Sequence, residues 1–359
     1  MGLATSFTAR RTVVGWISLL AVITSCEGGE QEPEEVLTAS LTVARQFGDS
    51  LSWAFPYVSL VVGSQLVVSD RGADSYFTVV DLETGRLTTF GRKGAGPEEF
   101  KDVSALLPGE PGQRAVWAFD PANRRFSLLA LDDSAPGRIL EQFSYNPPEF
   151  IFYPVFVGDR VVGGGPLLDA VLIVTDRAGA LISRTVVDPP FTEAQLGSPA
   201  TVRMANSGHL AFRPGAGDIA MAYGFASRMD LFTPDGAHRE TILPSARPVR
   251  TSYDVDASGV AHSDADNEKA YQSAHGTRRF IYAVFCGCTR QEYTDGLKPN
   301  VVQVWTWDGR LVATLTLDRP IVSLSVSEDD TRLFGLAWNP EPAVLEWVLP
   351  SELSGRGRD

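Results

Sequence analysis

Val301-Val302-Gln303-Val304-Trp305-Thr306-Trp307, then Asp308-Gly309, then Arg310-Leu311-Val312-Ala313-Thr314-Leu315-Thr316-Leu317 is a pair of alternating apolar runs on either side of an Asp-Gly turn. Alternation with period two puts one face of each run in a core, and Asp-Gly tolerates the positive φ of a tight hairpin. The same phrase recurs along the chain. Phe77 to Asp81 turns at Leu82-Glu83-Thr84-Gly85 and returns as Arg86 to Phe90. Val171 to Thr175 turns at Asp176-Arg177-Ala178-Gly179 and returns as Ala180 to Val186, and Met229 to Thr233 turns at Pro234-Asp235-Gly236. A hairpin copied at intervals through a chain rich in Gly and Pro, with no sustained helical period, is one supersecondary unit repeated around a ring.

The fold class expected is therefore all-β, a six-bladed β-propeller, with blades near 53–90, 103–143, 155–187, 200–243, 250–317 and 321–349. The last has room for three strands, Ile321 to Val326, Arg332 to Trp338 and Ala343 to Leu349. An open edge there would template aggregation, and Ser40 to Phe47 is an unpaired strand candidate before the first blade. The last blade is thus expected to be closed by this N-terminal strand. Asp264 to His275 reads as an insertion of a helical turn or two.

Three further stretches carry a family resemblance. Phe90-Gly91-Arg92-Lys93-Gly94-Ala95-Gly96-Pro97-Glu98-Glu99-Phe100 resembles the Gly-rich inter-blade signature of bacterial six-bladed β-propeller lipoproteins related to NHL repeats, departing from it where Glu98 replaces the usual Gly. Asp120-Pro121-Ala122-Asn123-Arg124-Arg125-Phe126 resembles the Asp-x-x-Asn-x-Arg turn of an NHL repeat. Trp307-Asp308-Gly309 through Leu317-Asp318-Arg319-Pro320 is similar to the penultimate-blade hairpin of TolB-like propellers. The resemblance implies architecture over most of residues 40 to 349 and is nearly silent on function, since propellers host binding, assembly and catalysis alike.

Both ends of the chain read differently from the middle. Residues 1–25 hold Arg10 and Arg11, no acid, and an apolar run from Val13 to Ile23, ending at Ile23-Thr24-Ser25-Cys26. The run is short of the about 20 apolar residues that span a bilayer, so it reads as a cleaved secretory signal. Its last four residues resemble a lipobox, which implies lipidation of Cys26. Residues 26–39 then form an acidic tether, 40–350 the propeller, and 351–359 a disordered tail. Removing the signal takes two arginines and no acid, moving the formal charge from −13 to −15. Such a surface repels nucleic acid and lacks the basic stripe that binding it requires. The expected setting is the cell envelope, at the outer membrane, with the membrane touched through the lipid anchor only and the chain a monomer.

The chemistry-bearing candidates are few. Gly94 and Gly96 beside Arg92 and Lys93 could form a backbone nest for an anion, although Glu99 stands where a dinucleotide fingerprint needs its third Gly. Asp70, Asp120 and Asn123 are the carboxylates and amide nominated to face the central channel. Asp254-Val255-Asp256-Ala257-Ser258-Gly259 copies the start of a calcium loop, but Ala265 stands at position twelve, so a hairpin turn explains it and calcium is the only cofactor left in view. Cys286 and Cys288 are two packed thiols, a disulfide or, with His262 and His275, metal ligands. His209 and His238 stand near turn glycines and read as solvated. Trp305, Trp307, Trp338 and Trp347 read as core packing, with a stacking role for a Trp at the channel mouth as the alternative. No linear catalytic signature is present. The reading is a non-catalytic propeller that binds an envelope protein, peptide or glycan. The alternatives are a metal-dependent hydrolase or lactonase using the central channel, and an anion sensor at the Gly91 to Gly96 turn.

Overall fold

The computed structural model describes residues 35–49, 52–132, 135–167, 169–192, 199–243, 253–255, 261–296 and 299–356. Cys26, the signal segment and the tether up to residue 34 lie outside the described residues, as does the turn at 256–260. Six sheets stand around a common axis as a β-propeller. Each is built on an antiparallel meander whose strand order follows the sequence with its first strand innermost, and blades 5 and 6 carry one further strand on the outside.

Blade 1 runs from Pro56–Val62 to Leu87–Phe90, blade 2 from Ala105–Pro108 to Ile139–Ser144, and blade 3 from Val155–Val157 to Leu181–Thr185. Blade 4 runs from Gly208–Phe212 to His238–Ile242, blade 5 from Glu268–Gly276 to Leu311–Leu317, and blade 6 from Ser323–Val326 to Ala343–Val348. The glycine turns between third and fourth strands do what their chemistry dictates. Gly85, Gly179, Gly236 and Gly309 take positive φ, and in blades 3, 4 and 5 the pairing that follows shifts by a residue.

Apolar residues of facing blades knit the ring together. Leu60, Val67 and Phe77 of blade 1 meet Leu106, Val116 and Leu129 of blade 2 in one cluster, and a second runs through blades 2, 3 and 4. Blades 4 and 5 join through Leu231, Tyr271 and Trp305, and blades 5 and 6 through Val304, Leu315 and Trp347. Phe47, Trp53, Val68, Phe334 and Leu336 complete the circuit from blade 6 back to blade 1.

The N-terminal segment closes the ring, but as two strands rather than one. Leu37–Leu41 adds in parallel to Leu311–Leu317 on the outside of blade 5, and Arg45–Phe47 pairs antiparallel with Ala343–Val348 to give blade 6 its fourth strand. The step between them is held by Asp318, whose two carboxylate oxygens accept the Val43 N–H at 3.1 and 3.0 Å and one of which takes the Trp347 indole N–H at 3.0 Å. One straight strand cannot serve two blades, so the chain breaks where it crosses between them.

Two further elements correct the sequence reading. Asp264 to His275 is no insertion, because Glu268–Gly276 within and beyond it is the innermost strand of blade 5, with Ala270 and Tyr271 fully buried. The inserted element is the preceding hairpin, Tyr253–Val255 with Ala261–Ser263. At the C-terminus, Ser351–Gly355 form a 3-10 turn rather than a frayed tail, with Leu353 buried against the blade 5–6 cluster. Arg356 beyond it donates to the Glu35 carbonyl.

Candidate functional site

The inter-blade links and the turns between second and third strands emerge on one rim, and there side chains from successive blades converge. On blade 1, the Arg71 guanidinium lies 3.3 Å from the centroid of the Tyr57 ring and pairs with Asp102, just ahead of blade 2. Tyr57 lies beside Tyr153, which precedes the first strand of blade 3, near enough to act on its hydroxyl. Ser104, a small buried residue just ahead of blade 2, donates its hydroxyl to the carbonyl of Phe152 next to Tyr153 at 2.6 Å. Tyr153 in turn packs on His209 of blade 4, ring centroids 4.7 Å apart. His209 feels the charge of Lys269 of blade 5, and the Lys269 ammonium lies 4.6 Å from the Phe225 ring and 5.9 Å from that of Tyr293. Blade 6 joins through Trp338, stacked on Phe55 at 4.6 Å and donating its indole N–H to the Pro56 carbonyl.

Enclosure sets the electrostatics of this rim. Burial pushes the Tyr153 hydroxyl far above its usual value, and burial with the nearby Lys269 charge drives His209 down to about 4. Lys269 is itself lowered, by burial first and by Arg290 second. His209, half-buried at this rim, is therefore a neutral imidazole at pH 7. His275, further along the inner strand of blade 5, is likewise held down to about 4 by burial.

The carboxylates nominated for the channel serve the backbone instead. Asp70 is fully buried and accepts the N–H groups of Ala54, Phe55, Gly72 and Ala73 at 2.8 to 3.0 Å. Asp120, also fully buried, accepts Lys101, Asp102 and Asn123 N–H and the Asn123 side-chain amide. Four donors saturate a carboxylate, so both acids bolt the link before an inner strand to the end of a second strand. Among the described residues, no group of three His, Cys, Asp or Glu side chains could hold a metal ion.

The Gly91 to Gly96 turn already holds an anion, one supplied by the chain. The Glu99 carboxylate accepts the Gly96 N–H at 2.9 Å, and a Cβ at Gly94, which has φ of +148°, would collide with it. Asn123 donates to the Gly94 carbonyl at 3.1 Å and Arg125 to the Gly96 carbonyl at 2.8 Å, fixing the turn to blade 2. Arg92 and Lys93 are exposed on its outer side, with Arg92 facing Glu98 at 4.0 Å. The residue that spoils the dinucleotide fingerprint is thus the one that fills the nest.

Cys286 and Cys288 form a disulfide. A regular strand would hold their Cα atoms roughly 6.5 Å apart. Here the pairing of the strand with its neighbour slips between Lys269 and Tyr271, Gly287 takes φ of +59°, and the Cα separation closes to 5.2 Å. Trp305, Trp307 and Trp347 are buried in the blade interfaces as expected, which leaves Trp338 as the tryptophan at the mouth.

A family model, TolB-like 6-blade propeller-like, matches residues 38–329. The chain belongs to this TolB-like family. Among solved structures, the propeller resembles a candidate exported protein of Bacteroides fragilis NCTC 9343, at 10% identity and a TM-score of 0.53, with 88% of this chain and 99% of that one covered. It also resembles the beta-propeller domain of Cps50 (Swd1) from Myceliophteria thermophila, at 10% identity and a TM-score of 0.48 over 86% of this chain and 100% of that one. At that identity the likeness to the Bacteroides fragilis protein speaks to fold alone. No curated protein matches the sequence.

The mouth of this TolB-like propeller makes a titration prediction. An unfolded histidine takes up its proton near 6.5, whereas folded His209 does so only near 4. The unfolded state then binds more protons between those values, so stability is full above pH 6.5 and falls as pH drops through the window. An NMR titration of the His209 ring should find a midpoint near 4, and a midpoint near 6.5 would mean that the ring is solvated.

Proposed function

We propose that this chain is an exported envelope lipoprotein, anchored through Cys26, whose propeller binds a protein, peptide or glycan partner at the rim where Tyr57, Tyr153, His209 and Lys269 converge. The observation that carries the binding reading is that convergence: aromatic and cationic groups from successive blades meet at one mouth, Arg71 on Tyr57, Tyr153 on His209 and Lys269 on Phe225, with His209 within reach of the Lys269 charge. Rigid blades hold loop side chains in place at little further entropic cost, which is how a propeller presents a binding surface. The carboxylates at hand for channel chemistry, Asp70 and Asp120, are saturated by backbone donors and, for Asp120, the Asn123 amide, which favours binding over metal-assisted hydrolysis.

Export is supported by the signal-like opening and by the Cys286–Cys288 disulfide, since such bonds persist in oxidising compartments. Lipid anchoring rests on the lipobox-like Ile23 to Cys26, and its onward address is the outer membrane.

Each half has its own test. Cys26→Ala should move the protein from the membrane fraction to the soluble one, and retention of the variant in membranes contradicts the anchor. For the mouth, peptide and glycan arrays are screened with the wild type and hits are measured by calorimetry. Tyr57→Ala with Tyr153→Ala should weaken a hit at least about tenfold, the loss expected for about 1.4 kcal/mol of contact energy. Arg92→Ser with Lys93→Ser, on the exposed turn, should leave it unchanged. Equal binding by the tyrosine variant, with an unchanged melt, would remove the mouth as the site.

A further inference from the structure

Among the described residues Lys269 is a cation at the mouth that no carboxylate answers, as Arg319 is elsewhere in the fold. It is half-buried, and it touches the Phe225 and Tyr293 rings but no carboxylate among the described residues. The charge it feels is another cation, Arg290, which stands across the strand pair with its main-chain N–H on the Asn267 carbonyl and whose exposed side chain likewise has no acidic partner among the described residues. Glu292, the acid closest to Arg290 in sequence, has its carboxylate engaged by the Thr289 N–H at 2.7 Å and the Thr289 hydroxyl at 3.1 Å in a helix cap. In a protein of net charge −13, an uncompensated pair of cations at the channel mouth is a local exception. Confining a cation without a counter-ion is costly, and a ligand that brings the missing charge recovers that cost.

The groups around Lys269 say what else the ligand carries. Tyr153 and His209 pack on one another, their planes inclined by 37° with centroids 4.7 Å apart, and both stay partly exposed, so it is their outward sides that a pyranose ring could meet through its C–H groups. No protein hydrogen bond engages the His209 ring nitrogens among the described residues, and a neutral imidazole both donates to and accepts from a hydroxyl. An extended peptide is recognised chiefly by main-chain hydrogen bonds. Here the main-chain donors at the heads of the inner strands are already spent: Phe55 on Asp70, Lys101 on Asp120, Val103 on the Tyr76 hydroxyl, and Ala270 on the Gly224 carbonyl. The acidic surface repels polyanions at long range, so a single carboxylate suits the site better than several.

We infer that the mouth of this propeller takes an acidic sugar, with its carboxylate on Lys269 and Arg290 and its ring against Tyr153 and His209. This rests on the mouth being the binding site, and names the class of ligand it takes.

The chain has four lysines, Lys93, Lys101, Lys269 and Lys298, so reductive methylation with 13C-formaldehyde resolves Lys269 by NMR while preserving its charge. The whole chain is titrated to about 50 mM with D-glucuronate, D-glucose or acetate, a range that reaches millimolar dissociation constants. Glucuronate should shift the Lys269 methyl signal saturably, glucose should not, and acetate should do so at least about tenfold more weakly. Lys269→Met should weaken glucuronate binding at least about tenfold in calorimetry with the melt unchanged, and Arg290→Gln should weaken it less because that side chain is exposed. No saturable shift with glucuronate, an equal response to glucose or acetate, or undiminished binding by Lys269→Met would each overturn the inference. If array hits are lost in the tyrosine variant yet glucuronate leaves Lys269 unmoved, the mouth remains the binding site and the acidic sugar is wrong. If Lys269 responds to glucuronate while the tyrosine variant keeps its array hits, it is the broader assignment of those hits to the mouth that fails.

Discussion

Closure of the ring by the N-terminal segment is the constraint on which everything at the mouth depends. Blade 6 receives three strands from the C-terminal part of the chain and its fourth, Arg45–Phe47, from the start of the described chain. Leu37–Leu41 ties the same segment to blade 5, so the seam is clasped on two blades with Asp318 at the crossing. Phe47 then enters the apolar cluster that joins blade 6 to blade 1. Without that clasp, blade 6 has an open edge, and Trp338 and Phe55 have no fixed relation across the seam.

Within the closed ring, buried acids do the local positioning. Asp70 and Asp120 take the backbone donors of the links that lead into inner strands, and Glu99 does the same inside the glycine turn. Each removes the cost of an unsatisfied buried N–H, on the order of 1–3 kcal/mol, and each fixes a loop at the rim where the tyrosines, His209 and Lys269 meet. The acids and the mouth residues therefore divide the labour, the former engaged inward by the chain and the latter left with free faces.

What the sequence made legible follows from how local its signals are. Hairpins such as Met229–Phe232 with His238–Ile242 could be read because alternation and a turn glycine lie within a few residues of each other. The inner strand Glu268–Gly276 was hidden because Gln272, Ser273 and His275 interrupt its apolar alternation where it approaches the channel and blade 6, as the bond from the Leu324 N–H to the Ser273 hydroxyl shows. The split of Ser40 to Phe47 between two blades was invisible because it is decided by Asp318, far away in sequence. Asp70 and Asp120 read from the sequence as channel carboxylates, because spacing does not reveal whether a carboxylate turns to a channel or to the backbone beside it. The mouth itself was missed almost entirely. Tyr57, Tyr153, His209 and Lys269 come from different blades and share no linear motif, and only the ring brings them together.

Hydrogen exchange at the seam tests the account most directly. The Ala44 N–H is bonded to the Glu346 carbonyl, and Arg45–Phe47 lies in register with Val344 to Glu346. If the clasp holds the ring, the bonded amides in this segment should exchange only through global unfolding, at the same limiting free energy as Arg332–Ala337 in the middle of blade 6. Exchange of the seam amides by local fraying, while Arg332–Ala337 stays protected, would show that the propeller stands without its clasp and that the mouth is held in place by something else.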